Sequence, residues 1–415
     1  MSEEGLPARR AALALLDAVL RQGRTLDSAA QGIKLPPNDA GLAIAIAGET
    51  LRRLPDLDSA IDSATRQRLP DDSKARMVLR LALAQKVGLG TPEHALVATA
   101  LPLVAGGPRR LVHGVLGTLL RRGLDLPEAP TLPAEVEARW GKAWGEDMVL
   151  AARRAIGHRP PLDLSFARDE GAQAYPLGVS LAPRHRRIAE AGNVTELPGF
   201  GDGGWWVQDL ASSLPARLIP DDARNVLDLC AAPGGKTMQL AAAGHSVTAV
   251  DRSESRLARL KENLGRTGLT ADLVAADALT WSPPRAFDAI LIDAPCSATG
   301  TFRRHPEVLY RARPSIIADS AELQARLLDR ASAMLKPGGV LVYAVCSLEP
   351  AEGEDAVAAF LGRAPRFRVA PPVAGELPDG VTSSPEGWVR VLPGMLEPAG
   401  GLDGFFVARL VAAPA

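Results

Sequence analysis

Two stretches of the sequence place a cysteine just after an apolar run. Cys296 stands in Asp293-Ala-Pro-Cys-Ser-Ala-Thr-Gly300, after FDAILI at 287–292. Cys346 stands in Ala344-Val-Cys-Ser-Leu-Glu-Pro350, at the end of GVLVYAV at 339–345. Both runs read as β-strands, and neighbouring strand ends would bring the two thiols into one cleft. A buried cysteine usually only packs. Here two of only three in the chain (the third is Cys230) fall at such ends, and that points to chemistry. A thiolate can add to carbon 6 of a cytosine ring, breaking its conjugation and loading electron density onto carbon 5, which then accepts an electrophilic methyl group. An acid near N3 would stabilise the developing charge, and Asp293 suits it if it holds a proton. A base, a second cysteine or a water, must then take the carbon 5 proton. Spacing does not say which cysteine attacks.

A methyl donor needs its own site. The run NVLDLC at 225–230 ends in Asp228-Leu-Cys-Ala-Ala-Pro-Gly-Gly-Lys-Thr237, where Gly234 and Gly235 allow a sharp turn and close approach to a ligand. SVTAV at 246–250 ends in Asp251, 23 residues after Asp228, about where an acid takes a ribose hydroxyl pair. Asp277 follows a third strand and could bond an adenine amino group. The G-x-G-x-x-G and G-x-x-x-x-G-K-[ST] loops that hold phosphates are absent. Carboxylates around the pocket would repel phosphate and favour a sulfonium with an amino-acid ammonium, which selects S-adenosylmethionine.

Apolar strands alternating with amphipathic helices at 236–243, 253–266 and 315–335 position these residues. The pattern predicts an α/β Rossmann-like domain, a doubly wound and mostly parallel sheet, over 201–415, with FVARLV near the end as a last strand. Residues 1–125 read as all helical, with apolar helical spacing at Leu13, Leu16, Val19 and Leu20, at 42–53 and at 72–88, and further helices near 93–105 and 108–122. A proline-rich stretch at 124–135 reads as a linker. Residues 126–200 mix helical and strand-like pieces such as LDLSFAR at 162–168, and predict a small α+β module.

Composition sets outer bounds. Hydrophobic residues are 47% of 415 and charged residues 23%, enough for two or three soluble domains. No apolar stretch is long enough for a membrane span, and the acidic start lacks a signal core, so a cytoplasmic protein is expected. No C-x-x-C pair or histidine spacing suits a metal. The net charge of −1 exerts no global pull on nucleic acid. Forty of the 47 basic residues are arginine, which suits both a GC-rich genome and phosphate recognition.

The motifs DLCAAPGGKT, AVD at 249–251, AADA at 275–278, DAPCSATGTFRRHPE and CSLEPAEGE, with WWVQDLAS at 205–212 and DGFFVARL at 403–410, closely resemble those of the RNA cytosine-C5 methyltransferases of the RsmB/NOP family, in the branch acting on bacterial small-subunit (16S) ribosomal RNA. Residues 5–123, with RAALALLDAVLRQG, AGETLRR and GTPEHALV, resemble the NusB-like RNA-binding domain fused to that branch. The resemblance implies Cys346 as nucleophile and Cys296 as an aid to product release. It implies S-adenosylmethionine contacts at Cys230, Ala231, Ala232, Pro233, Gly234, Gly235, Lys236, Asp251, Asp277 and Asp293, with Arg256 added, and 126–200 as an RNA-recognition module. The sequence departs from the family at Val345, where threonine is common, and at Gly353, where asparagine is common; Gly353 puts a polar contact in doubt.

Arg303, Arg304 and His305 follow the Cys296 loop directly, a position suited to phosphates beside the target base. Arg184, Arg186 and Arg187 form another basic cluster, and the doublets Arg109-Arg110 and Arg121-Arg122 read more simply as solvated helix faces. Trp205 and Trp206 fit packing better than base stacking. The expected partner is small-subunit ribosomal RNA, and the expected state a monomer. The competing readings are the same chemistry on transfer RNA and a non-catalytic RNA-binding assembly factor.

Overall fold

A computed structural model describes residues 5–414. They form two compact units: the chain up to Arg159 together with Phe302–Arg311, and Pro160–Thr301 together with the chain from Ala312 onward. Among the described residues no helix is long and apolar enough to cross a membrane.

The first unit is all-helical. Its central helix, Lys74–Gly88, is buried all round from Ala75 to Gln85, as a core helix must be. The Ser73 hydroxyl caps it by accepting the Arg76 N–H at 3.3 Å. Helices Leu6–Leu20, Pro37–Arg52 and Gly106–Arg122 close around it through Leu16, Ile46, Leu51 and Leu116. Arg76 and Arg80 enter this interior paired: Arg76 donates to Asp62 at 2.6 Å and Arg80 to Asp58 at 2.7 Å, since a buried charge needs a partner. Helices Ala134–Trp144 and Glu146–Ile156 belong to the same unit. So does the excursion Phe302–Arg311, where the Phe302 ring lies 5.4 Å from Trp140 and the Tyr310 hydroxyl donates to the Leu51 carbonyl at 2.8 Å.

The second unit carries the strands. In chain order these are β1 (Leu162–Phe166), β2 (His185–Ile188), β3 (Trp205–Val207), β4 (Asn225–Leu229), β5 (Ser246–Asp251), β6 (Asp272–Ala275), β7 (Phe287–Asp293), β8 (Leu335–Val345), β9 (Phe367–Val369), β10 (Val389–Val391) and β11 (Phe405–Ala412). The large sheet has the order β10-β11-β8-β7-β4-β5-β6, with β9 on β11. Strands β4 to β8 pair in parallel, and β9, β10 and β11 are antiparallel. Alternate side chains build two cores. Leu227, Leu229, Ile290, Ile292 and Tyr343 face one helix layer, and Val226, Leu291, Val342 and Ala344 the other, which is the period-two consequence of a sheet covered on both sides. The expected doubly wound domain is therefore present. The strand expected at 339–345 begins earlier, at Leu335, and takes in Lys336-Pro-Gly-Gly through a register shift against β7 between Phe287 and Ala289.

The segment 126–200 does not close on itself. Its first two helices belong to the helical unit, whereas its third, Asp169–Ala174, lies in the second unit with β1 and β2, and β1 pairs with both β2 and β3, which lies beyond residue 200, in a sheet of order β2-β1-β3. The reason is a buried charge. Asp163 on β1 accepts both Arg187 Nε and Nη2 at 2.7 Å and the Leu210 N–H at 2.9 Å, with His185 Nε2 at 3.2 Å. Arg187 then donates to the carbonyls of Ala399 and Gly401 at 2.9 and 2.7 Å. The small sheet is thus stapled to the large one.

Burial pushes the Asp163 carboxyl up, but the bonds from Arg187 and His185 outweigh it and the net shift is down. Its contribution to stability is therefore present above the ordinary value of 3.8 and lost as pH falls through the depressed folded value. Replacing Asp163 by Asn strands the Arg187 charge and should destabilise the second unit by about 3–5 kcal/mol, read by thermal or denaturant unfolding at neutral pH. An unchanged midpoint contradicts the staple.

Candidate active site

β7 and β8 run side by side with Asp293 opposite Ala344. Cys296 lies three residues past one member of this pair and Cys346 two past the other, and their sulfurs are 3.5 Å apart. Both residues are half-buried. Two backbone bonds hold the two loops together, Ala294 N–H to the Ala344 carbonyl at 2.9 Å and Gly300 N–H to the Cys346 carbonyl at 3.0 Å, and a third, Gly404 N–H to the Gly300 carbonyl at 2.8 Å, ties the Cys296 loop to the start of β11. Ala298 takes a left-handed φ of 58° in the turn of the Cys296 loop, which costs a non-glycine residue on the order of 1–2 kcal/mol and is a mark of functional loops. The hydrogen bond to Cys346, followed by burial and the proximity of Cys346 and Glu352, raises the Cys296 thiol well above its ordinary value. Cys296 therefore keeps its proton and can donate it toward the Cys346 sulfur.

The Gly-rich turn joins β4 to helix Gly235–Ala242. Cys230 has a left-handed φ of 61° and Gly234 a φ of 106°, and a Cβ at Gly234 would run into Leu260. Asp251, at the end of β5, is 3% exposed. It accepts the Ala232 N–H at 3.2 Å and the Ser253 N–H at 2.9 Å, with Arg256 Nη1 at 3.3 Å. Arg256 also donates to the Ala232 carbonyl. Ala231 and Ala232 are buried, and Pro233 is exposed. Asp277 is exposed and accepts the Leu279 N–H at 2.9 Å, capping its own turn beyond β6.

The two sites meet through Lys236, which donates to Asp293 at 2.7 Å. Burial lowers the Lys236 ammonium, but Asp293, Cys346 and Asp228 outweigh it and raise it. The Lys236 ammonium is thus held 2.7 Å from the residue expected to contact N3. Burial, together with Asp293, Asp251 and Asp228, pushes the Cys230 thiol up to about 12, so this third cysteine is an inert lining group.

The basic residues after the Cys296 loop behave differently from one another. Arg303 is 3% exposed and lies within the helical unit. Arg304 and His305 are half-buried, and His305 Nδ1 stands 3.8 Å from Glu307 and 3.9 Å from Asp27. Arg187 is the buried staple already described, and Arg186 spends its donors on the carbonyls of Ala172, Gln173 and Gly178. Trp205 and Trp206 are buried and donate to the Pro198 carbonyl and Gln208, so they pack rather than stack.

Sequence reasoning missed Glu352, which is fully buried. Its carboxylate accepts the Ser297 N–H at 2.8 Å and the hydroxyls of Ser297 and Ser347. Its place six residues after Cys346, among small and polar neighbours, was the available signal. Gln324, donating to the Pro295 carbonyl at 2.9 Å from mid-helix, carried none.

Residues 215–411 match the family model for 16S rRNA methyltransferase RsmB/F, and residues 6–121 match that of the NusB family. The chain is 32% identical to ribosomal RNA small subunit methyltransferase B of Cronobacter sakazakii over 444 aligned positions, covering 99% of each chain. It is 34% identical to the protein of the same name from Pseudomonas putida, covering 97% of this chain and 98% of the relative. The crystal structure of PH0851 shares the fold, with a TM-score of 0.74 at 22% identity over 99% of both chains. Full-length similarity at this level, over both the helical and the sheet-bearing parts, shows that the chain belongs to the RsmB/F family of S-adenosylmethionine-dependent 16S ribosomal RNA methyltransferases, with a NusB-family domain in its N-terminal part.

Proposed function

We propose that Cys346 is the nucleophile that adds to carbon 6 of a cytosine in 16S ribosomal RNA, and that carbon 5 of that ring receives the methyl group. The observation that carries this reading is the 3.5 Å separation of the two sulfurs at the ends of adjacent parallel strands. The Cys296 thiol holds its proton and hydrogen-bonds its neighbour, and the Lys236 ammonium lies within the field of Cys346. Addition forms the sulfur–carbon 6 bond and moves the ring electrons toward N3 and carbon 5. The Lys236–Asp293 pair faces that charge, with Lys236 as its proton carrier. After methylation the carbon 5 proton leaves to a base, the electrons return to the ring, and the bond to Cys346 breaks. Cys296 is placed to assist this release.

The pocket fits S-adenosylmethionine, which supplies a methyl group on a sulfonium when bound. Asp228 Oδ1 is fully buried with no hydrogen-bond partner among the described residues. Burial, together with Asp293 and Asp251, pushes this carboxyl up to about 7, against the pull of Thr237. Three converging carboxylates suit a cation. Asp251 retains acceptor capacity for a ribose hydroxyl pair beyond its two backbone bonds. Residues 230–236, Arg256 and Asp277 complete the contacts. Arg304 and His305 are the better placed of the basic trio for RNA. One chain supplies both sulfurs and every cofactor residue, so a monomer suffices, and a ribosomal substrate places the protein in the cytoplasm.

Cys346→Ala should lower methyl transfer to unmodified 16S rRNA by more than about 10⁴-fold while S-adenosylmethionine still binds; normal methylation by this variant rules the assignment out. Cys296→Ala should accumulate a covalent protein–RNA adduct, visible as a slow-migrating band on a denaturing gel; a freely turning-over variant with no such band contradicts the release role. Asp251→Ala should weaken S-adenosylmethionine binding about 10–100-fold, measured by calorimetry, with transfer RNA methylated no better than background by the wild type. Unfolding exposes Asp228 to its ordinary value of 3.8 from a folded value of about 7, so the unfolded chain sheds this proton first. Stability of the ligand-free protein should therefore decline between about pH 4 and pH 7, and Asp228→Asn should remove that part of the decline. Identical pH profiles of melting temperature for the two proteins contradict it.

A further inference from the structure

The residues that immediately follow the two cysteines meet on one carboxylate. Glu352 closes the short turn Pro350–Glu352 and is fully buried. Its Oε1 accepts the Ser297 N–H at 2.8 Å and the Gln324 amide at 3.4 Å. Its Oε2 accepts both the Ser297 and the Ser347 hydroxyls. Those hydroxyl oxygens are 3.3 Å from each other, and the Thr299 hydroxyl lies 3.3 Å from that of Ser347. Tyr343 donates to the Glu352 carbonyl at 2.6 Å, which fixes the turn against β8. The carboxylate thus spans two loops that are remote in sequence and grips each at the position next to its sulfur.

A second group holds Ser347 from the other side. Arg390 on β10 donates to the Ser347 carbonyl and forks onto Glu354 at 2.9 and 2.6 Å. Gly353 makes room for it, because a Cβ there would run into Arg390 Nη2 and the Phe406 ring.

From this we infer that Glu352 is the positioning residue that sets the separation of Cys296 and Cys346, and so the rates of both thiol steps, without touching substrate. The inference rests on the cysteine roles proposed above. A catalytic geometry displaced by about 1 Å loses on the order of 100-fold in rate, and side chains that orient catalytic groups are worth about 10–100-fold. Glutamine at 352 keeps the volume but puts a neutral NH2 where the carboxylate accepts two hydroxyls, so both hydroxyls must reverse to accept and the charge-assisted bonds to each loop are lost.

The test compares Glu352→Gln with wild type in the full chain. The expected result is a 10–100-fold lower kcat on unmodified 16S rRNA, with KM for RNA and the affinity for S-adenosylmethionine within twofold. The second readout does not depend on methylation. Diamide oxidises two neighbouring thiols to a disulfide while being reduced to its hydrazine, and the closure of Cys296 onto Cys346 is followed by mass spectrometry. That closure should slow at least severalfold in Glu352→Gln. Should the glutamine variant not fold, the double variant Ser297→Ala, Ser347→Ala removes the hydroxyl arms and should show the same split in milder form. Wild-type turnover, or wild-type closure, in the folded variants overturns the proposal. If Cys346→Ala is inactive in the same assays, only the role of Glu352 falls; a fully active Cys346→Ala ends the underlying mechanism instead.

Discussion

Two thiols at 3.5 Å need an unusual amount of support, because neither sulfur gains much from the other. A thiol–thiol hydrogen bond is weak, and loops leaving parallel strands diverge unless tied. The ties here are two backbone hydrogen bonds and a buried carboxylate shared by the two loops. These place the protonated Cys296 sulfur beside that of Cys346, the proposed nucleophile. The adjacent Lys236–Asp293 pair brings a proton carrier to the same cleft. The rest of the sheet exists, in functional terms, to hold β7 and β8 in register beneath this cluster.

The order of the sheet explains how a methyl donor reaches the sulfurs. β4 lies between β7 and β5, so the Gly-rich turn and Asp251 occupy the strand ends next to the catalytic ones. Asp228, Asp251 and Asp293 come from three adjacent strands and raise the Asp228 carboxyl and the Cys230 thiol together. The electrostatic cost of converging carboxylates is relieved by a cationic ligand and worsened by phosphate, which is why the turn lacks the spacing of a nucleotide-phosphate loop.

Much of this was legible in the sequence for a simple reason. Buried parallel strands write themselves as apolar runs, and the candidate residues sit at their ends, so Asp251, Asp293, Cys296 and Cys346 could be picked from local pattern alone. What failed depended on long-range partners. The segment 126–200 has a composition of its own, but Asp163 and Arg187 bind β1 and β2 to residues near 210 and 400, and no local signal announces that. Arg303 reads as a phosphate ligand from its neighbours, yet it is buried. Glu352 reads as one acid among several, and its importance comes from Ser297, more than fifty residues earlier. Gly353 reads as a loss until Arg390 is seen occupying its space.

The central claim concerns which sulfur forms a bond to the pyrimidine. It is tested most directly with 16S rRNA carrying 5-fluorocytidine, whose carbon 5 cannot release fluorine as a cation after methylation and so holds the enzyme on the ring. Digestion of the trapped complex and mass spectrometry of the peptides identify the attached residue. A modified peptide containing Cys346, with Cys296 free, is the predicted result. Attachment through Cys296, or a methylated substrate with no attached peptide, would contradict the account.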